Sequence, residues 1–297
     1  MNKKFLNYTD WQGTADTLHM YLQMLGKVKL MRCHQRVRLY LTVEGVSTGI
    51  IPGDDSPFEI QANFMKHLVI FRNGNGKMVT FTLQDGLPVM EFYKQFMKGL
   101  EEIGSPTAIN VRAQEFYDPI DFDKDTKHHH YDKEAVQLWH QNHLFAHEAL
   151  RGFLSGFRGK VDGPAYYFGT MDLTGIVYSG ESAPFGMNKP ISDHAFDERY
   201  FECGFWPGDV NYPRPAFYGL PYPFISDIKG NDHLIRPAMA IFKPEKKEFF
   251  LTLEDALAYD DPFDAVHQFL QSSFDIMQKV RPWQYLDWIT TPLTYTK

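Results

Sequence analysis

Residues 78–100 read MVTFTLQDGLPVMEFYKQFMKGL, and they pass from strand to helix within a few positions. Met78 to Leu83 has the composition and length of a strand, and Asn73-Gly74-Asn75-Gly76 before it signals a hairpin back to His67–Phe71. Pro88 then opens a helix whose apolar stripe includes Phe92, Phe96 and Leu100, closed by Gly104. The junction recurs near the other end of the chain. Leu251-Thr252-Leu253-Glu254-Asp255 answers Phe81-Thr82-Leu83-Gln84-Asp85, and Asp261-Pro262 opens a helix carrying Val266, Phe269, Leu270 and Phe274 and stopped by Pro282.

Outward from these junctions, the two halves run in the same order. An amphipathic helix near residues 10 to 25 places Ala15, Leu18, Leu22 and Leu25 on one side, with Gly26 where a C-terminal cap is expected and Lys27 after it. A strand, Arg38 to Val43, follows. In the second half Asp132 can cap a long helix to about Phe157, followed by Gly159-Lys160 and strand candidates at Ala165–Phe168, Tyr200–Gly204, Ala238–Phe242 and Glu248–Leu253. The expectation is an α+β fold of two similar halves, an internal duplication, each an antiparallel sheet with flanking helices. The halves would be 1–112 and 132–297, joined by 113–131. The second carries an aromatic and proline-rich insertion at about 181–233, containing Gly204-Phe205-Trp206-Pro207-Gly208, Pro213, Pro215, Pro221 and Pro223. Such prolines argue against a central strand there.

Composition narrows the functional classes. The chain has 297 residues, 15% of them aromatic, and a mean hydropathy of −0.37, which excludes wholesale disorder. No apolar run approaches the roughly 20 residues of a membrane span. Thirty basic residues against 37 acidic ones leave a net charge of −7, which argues against nucleic acid as a partner. The N-terminal residues have no apolar stretch of the secretory kind. Cys33 and Cys203 fit no disulfide or zinc pattern, and reduced thiols in the cytoplasm are expected.

Six of the twelve histidines lie between 128 and 147. His140, His143 and His147 fall at i, i+3 and i+7, on one apolar stripe of the long helix. Three inward imidazoles suit a transition metal, the one cofactor these residue types suggest, or pack as neutral core histidines. Upstream, Asp123, Asp125, His128, His130, Tyr131 and Asp132 form an acidic approach to that helix, in which Asp132 can cap the helix amides or act as a carboxylate at a site. His19 and Gln23 sit at i and i+4 on the first helix, one turn before Lys27. Asp172 is either a carboxylate at a strand end or a turn residue. No nucleophile elbow, phosphate-binding loop or dinucleotide fingerprint is present.

Several of these motifs together resemble a bacterial family, the domain-of-unknown-function family numbered 5996. The matching elements are Asp16-Thr17-Leu18-His19, Gly26-Lys27, His130-Tyr131-Asp132, Phe157-Arg158-Gly159-Lys160, Phe168-Gly169-Thr170-Met171-Asp172-Leu173, Ser179-Gly180, Gly204-Phe205-Trp206-Pro207-Gly208 and Phe217-Tyr218. The resemblance implies a soluble bacterial protein and imports no activity. It also implies that His19, His130 and Asp172, which sit inside shared motifs, belong to a common site. The chain departs from the pattern at Val177 and Glu181, where arginines flank the Ser-Gly step in relatives, and at Phe168, which runs directly into Gly169.

The resulting expectation is a small-molecule binder or enzyme with its site in a cleft between the halves. His19, His130, Asp132 and Asp172 would supply acid–base groups, and Lys27, Lys160 and Trp206 would hold the ligand. The rival expectations are a protein-interaction module using the aromatic insertion, and a metalloprotein using His140, His143 and His147. Oligomeric state is not legible from the sequence.

Overall fold

The computed structural model describes residues 5–33, 38–186, 188, 193 and 195–291. It is an α+β protein with two antiparallel sheets and, among the described residues, six α-helices. The chain divides into two compact units. The first comprises residues 1–144, 165–172 and 207–213, and the second comprises 145–164, 173–206 and 214–297.

The first unit opens with α1 (Tyr8–Cys33), which breaks at Trp11 and then runs unbroken. Gly26 is therefore inside the helix and not its cap. A Cβ at Gly26 would lie 2.1 Å from the Phe168 ring, so the missing side chain leaves the ring its seat. A five-stranded meander follows: β1 (Tyr40–Thr42), β2 (Gly45–Ser47), β3 (Phe58–Asn63), β4 (Leu68–Asn73) and β5 (Met78–Thr82). The expected hairpin closes β4 on β5, with the Asn73 amide donating to the Lys77 carbonyl at 3.1 Å and Gly76 at a positive φ of 83°. Helix α2 (Val89–Glu102) buries Val89, Phe92, Phe96 and Leu100, the stripe its spacing predicts. The Phe92 ring stacks on Tyr21 of α1 at 3.8 Å.

The N-terminus of α2 has no side-chain cap. Its orphan amides are taken by carbonyls of a distant segment: the Val89 N–H donates to His128 O at 3.0 Å and the Met90 N–H to Asp125 O at 2.8 Å. Residues 105–132 contain neither helix nor strand, yet they are fastened in this way to α2. Helix α3 (Lys133–Leu154) begins after Asp132, whose Oδ1 accepts from the Glu134 and Ala135 amides at 2.9 and 3.1 Å. The capping role read from the sequence is the one the structure has.

The second unit carries most of a six-stranded sheet in the order β10-β11-β9-β8-β7-β6, from β6 (Val161–Tyr167), β7 (Asp172–Ser182), β8 (Glu198–Trp206), β9 (Ala216–Tyr222), β10 (Ile241–Lys243) and β11 (Glu248–Thr252). Helices α4 (Leu253–Leu257), α5 (Pro262–Val280) and α6 (Leu286–Thr290) complete it, with Asp261 capping α5 through the Phe263 and Asp264 amides.

The two sheets differ in strand number, and the second departs from a meander where β9 pairs with β11, so the structure does not establish the duplication. The range expected as an insertion supplies β8 and β9, both paired on two sides. Pro221 lies within β9, against the expectation that prolines keep this stretch out of the sheet centre. The reason is local. Pro221 faces Phe201 of β8, whereas pairing with β11 stops at Gly219, so the missing N–H costs no ladder bond on the β11 side. The aromatics here pack on each other, with Tyr200, Tyr222 and Ile176 buried beneath Phe185, Phe196 and Phe224.

Candidate functional site

One helix face in the first unit carries four buried polar side chains. Gln12, Asp16, His19, Gln23 and Lys27 recur every three or four residues along α1 and fall within about 80° of each other at 100° per residue. A polar stripe of this kind normally faces water, yet Asp16, His19, Gln23 and Lys27 are all buried. Segment 105–132 supplies partners along the stripe. Gln23 treats the backbone of Gln114 as a strand would: its amide donates to Gln114 O at 2.7 Å and its Oε1 accepts from Gln114 N at 2.8 Å. Asp16 accepts from the Tyr117 hydroxyl at 2.8 Å and from that of Tyr8, while Gln12 donates to Tyr117 at 3.1 Å. Burial raises the pKa of Asp16 above the usual carboxylate range, against the pull of both phenols and of His128.

Phe116 stands edge-on to both His19 and His128, with centroids 5.6 and 5.5 Å away. His128 is 5% exposed and forms a pair with Asp125, which is fully buried. Nδ1–H of His128 donates to Asp125 Oδ2 at 2.7 Å, and Oδ1 accepts from the amides of Lys127 and His128 at 3.0 and 3.1 Å. In the neutral ring, a proton on Nδ1 makes Nε2 an acceptor. That atom is buried and has no hydrogen-bond partner among the described residues. An unsatisfied buried acceptor costs about 1–3 kcal/mol.

The other residues singled out in the sequence have local roles. His19 Nε2–H donates to the carbonyls of Gly169 at 3.0 Å and Phe168 at 3.1 Å, and burial holds its pKa down at about 4. It ties a turn to α1. His130 is exposed, 3.8 Å from Asp85, with its ring against Gly13. Asp132 caps α3, and Asp172 accepts from the Thr170 hydroxyl at the start of β7. Within the second unit, Lys160 pairs with Glu198 at 2.7 Å and lies over the Tyr178 ring, and the Trp206 ring receives Lys246 at 5.4 Å.

Two of the three helix histidines are fastened to backbone carbonyls. His140 Nε2 is 2.9 Å from Thr42 O and His143 Nδ1 is 2.9 Å from Trp139 O, so each of these nitrogens donates to a carbonyl. Burial lowers His143 to about 4, and His147 is lowered by burial and by the Arg151 charge. Among the described residues no group of three histidine, cysteine or acidic side chains is placed to hold an ion.

The pair at Asp125 and His128 lay within the acidic approach read from the sequence but was not singled out there. The i, i+3 spacing and the tripeptide His128-His129-His130 were its only signals, and which of the three rings turns inward is set by the carbonyls that cap α2. The family described as Family of unknown function (DUF5996) matches residues 4–287. The chain belongs to this family. No curated protein and no solved structure matches it. No helix among the described residues is long and apolar enough to cross a membrane.

Proposed function

We propose that this DUF5996 member is a small-molecule enzyme whose first unit carries an acid–base site, with His128 as the proton-transfer group and Asp125 as the residue that positions it. The observation behind this reading is His128 Nε2: an imidazole oriented by a buried carboxylate, with its second nitrogen enclosed and unclaimed. An aspartate that accepts from Nδ1–H fixes the tautomer and stabilises the imidazolium that forms when Nε2 takes a proton. The ligand group that suits Nε2 is an O–H or N–H donor, or a water that attacks a bound substrate. Asp16, held between Tyr8 and Tyr117, adds a second carboxylate whose proton affinity burial has raised.

Two measurements test this. In long-range nitrogen–proton NMR spectra, His128 should carry its proton on Nδ1, and Asp125→Asn should mix the tautomers. In a thermal-shift screen of small metabolites, compounds that raise the melting temperature of the wild type should lose that effect in His128→Gln. A proton found on Nε2, or hits indifferent to His128→Gln, would remove His128 from the site.

A further inference from the structure

Two buried lysines stand two residues apart on α1, and the chain treats them differently. Lys29 is 5% exposed, and its ammonium donates to Arg38 O at 2.6 Å and Thr48 O at 2.7 Å beneath the Tyr40 ring. Burial lowers its affinity for a proton too, but its amine is engaged by two carbonyls. Lys27 is 3% exposed and has no hydrogen-bond or ion-pair partner among the described residues; its Nζ meets only the Phe122 ring, at 5.8 Å. A buried ammonium with neither acceptor nor counter-ion is costly, and the neutral amine is the cheaper species.

We propose that Lys27 is a carbonyl-reactive amine, the site at which an aldehyde or ketone ligand is held as an imine. Nζ adds to the carbonyl carbon and the carbon–oxygen bond breaks. The oxygen leaves as water with both amine hydrogens, and no oxidant or reductant is required. Desolvation of Lys27, with no carboxylate near enough to offset it, lowers its affinity for a proton and favours the nucleophilic form. The inference does not rest on the role given to His128.

The test is reductive trapping on the intact wild-type chain. Glyoxylate, and separately propanal, is added with cyanoborohydride near pH 7, and labelled lysines are mapped by tandem mass spectrometry. Lys27 should be labelled several-fold faster than exposed Lys94 and Lys98, with Lys29 protected, and urea should erase the order. Lys27 labelled no faster than the exposed lysines, or labelled only after unfolding, overturns the proposal. His128→Gln should leave trapping at Lys27 unchanged, which keeps this outcome separate from that of the acid–base reading.

Discussion

At Gly26 a hydrogen atom stands where any other residue would put carbon into the Phe168 ring. Gly26→Ala should therefore destabilise the protein by about 1–3 kcal/mol through overpacking, although alanine is the better helix former. Urea unfolding of the two proteins measures this, and an unchanged or higher midpoint would mean that the ring moves aside. The residue also marks a limit of local reading. Glycine ending a helix and glycine inside one beneath a ring look alike in the sequence. Only Phe168, far along the chain, separates them. His19 is a similar case: its place on a polar helix face was legible, but its acceptors at Phe168 and Gly169 were not. Lys27 was expected to hold a ligand, and nothing in its local sequence shows that its amine lacks an acceptor among the described residues.

Among elements, the amphipathic ones were read well and the unusual ones poorly. The β4–β5 hairpin, α2, α3 and α5 follow from turn residues, caps and apolar spacing. Strand β2 is three residues long and β9 contains proline, so neither carries the usual pattern. Helix α1 extended beyond its predicted end and is buried on all sides, because a segment without helix or strand covers its polar face. Asp132 supplies a test at this scale. Asp132→Ala should cost about 1 kcal/mol by uncapping α3, while Asp132→Asn, which keeps an acceptor, should stay close to the wild type. Equal losses in denaturant midpoint for the two variants would show that the carboxylate charge, and not the cap, is what matters.

For the whole molecule, acid sensitivity follows from burial of neutral rings. His19 and His143 have their pKa values lowered to about 4, whereas the unfolded chain titrates near 6.5. Between those values the unfolded state binds more protons, so stability falls as pH drops from 6.5 toward 4, by roughly 3 kcal/mol at most for each ring. Asp16 acts in the opposite sense. Its raised pKa means that the folded state holds a proton longer, so its contribution declines as pH rises above the ordinary carboxylate range. Urea midpoints between pH 4.5 and 7 should rise with pH in the wild type and rise less in His143→Gln; equal slopes would contradict the buried neutral ring. At this scale the sequence was informative about class, as two antiparallel sheets with helices, and uninformative about strand order. The order β9-β11 depends on pairing across a stretch that aromatic and proline content disguised as a surface annex.

Segment 105–132 gives the protein an uncommon relation to chain length. Surface connections ordinarily absorb extra residues, because nothing along them counts positions. Here Gln114, Tyr117, Asp125 and His128 each meet a fixed partner, so the spacing between them works as a ruler laid against α1 and α2. One residue added between Gln114 and His128 would put the ends of that ruler out of step. Homologues that vary in length should therefore do so elsewhere, and this stretch, unremarkable by its lack of helix or strand, should keep its count.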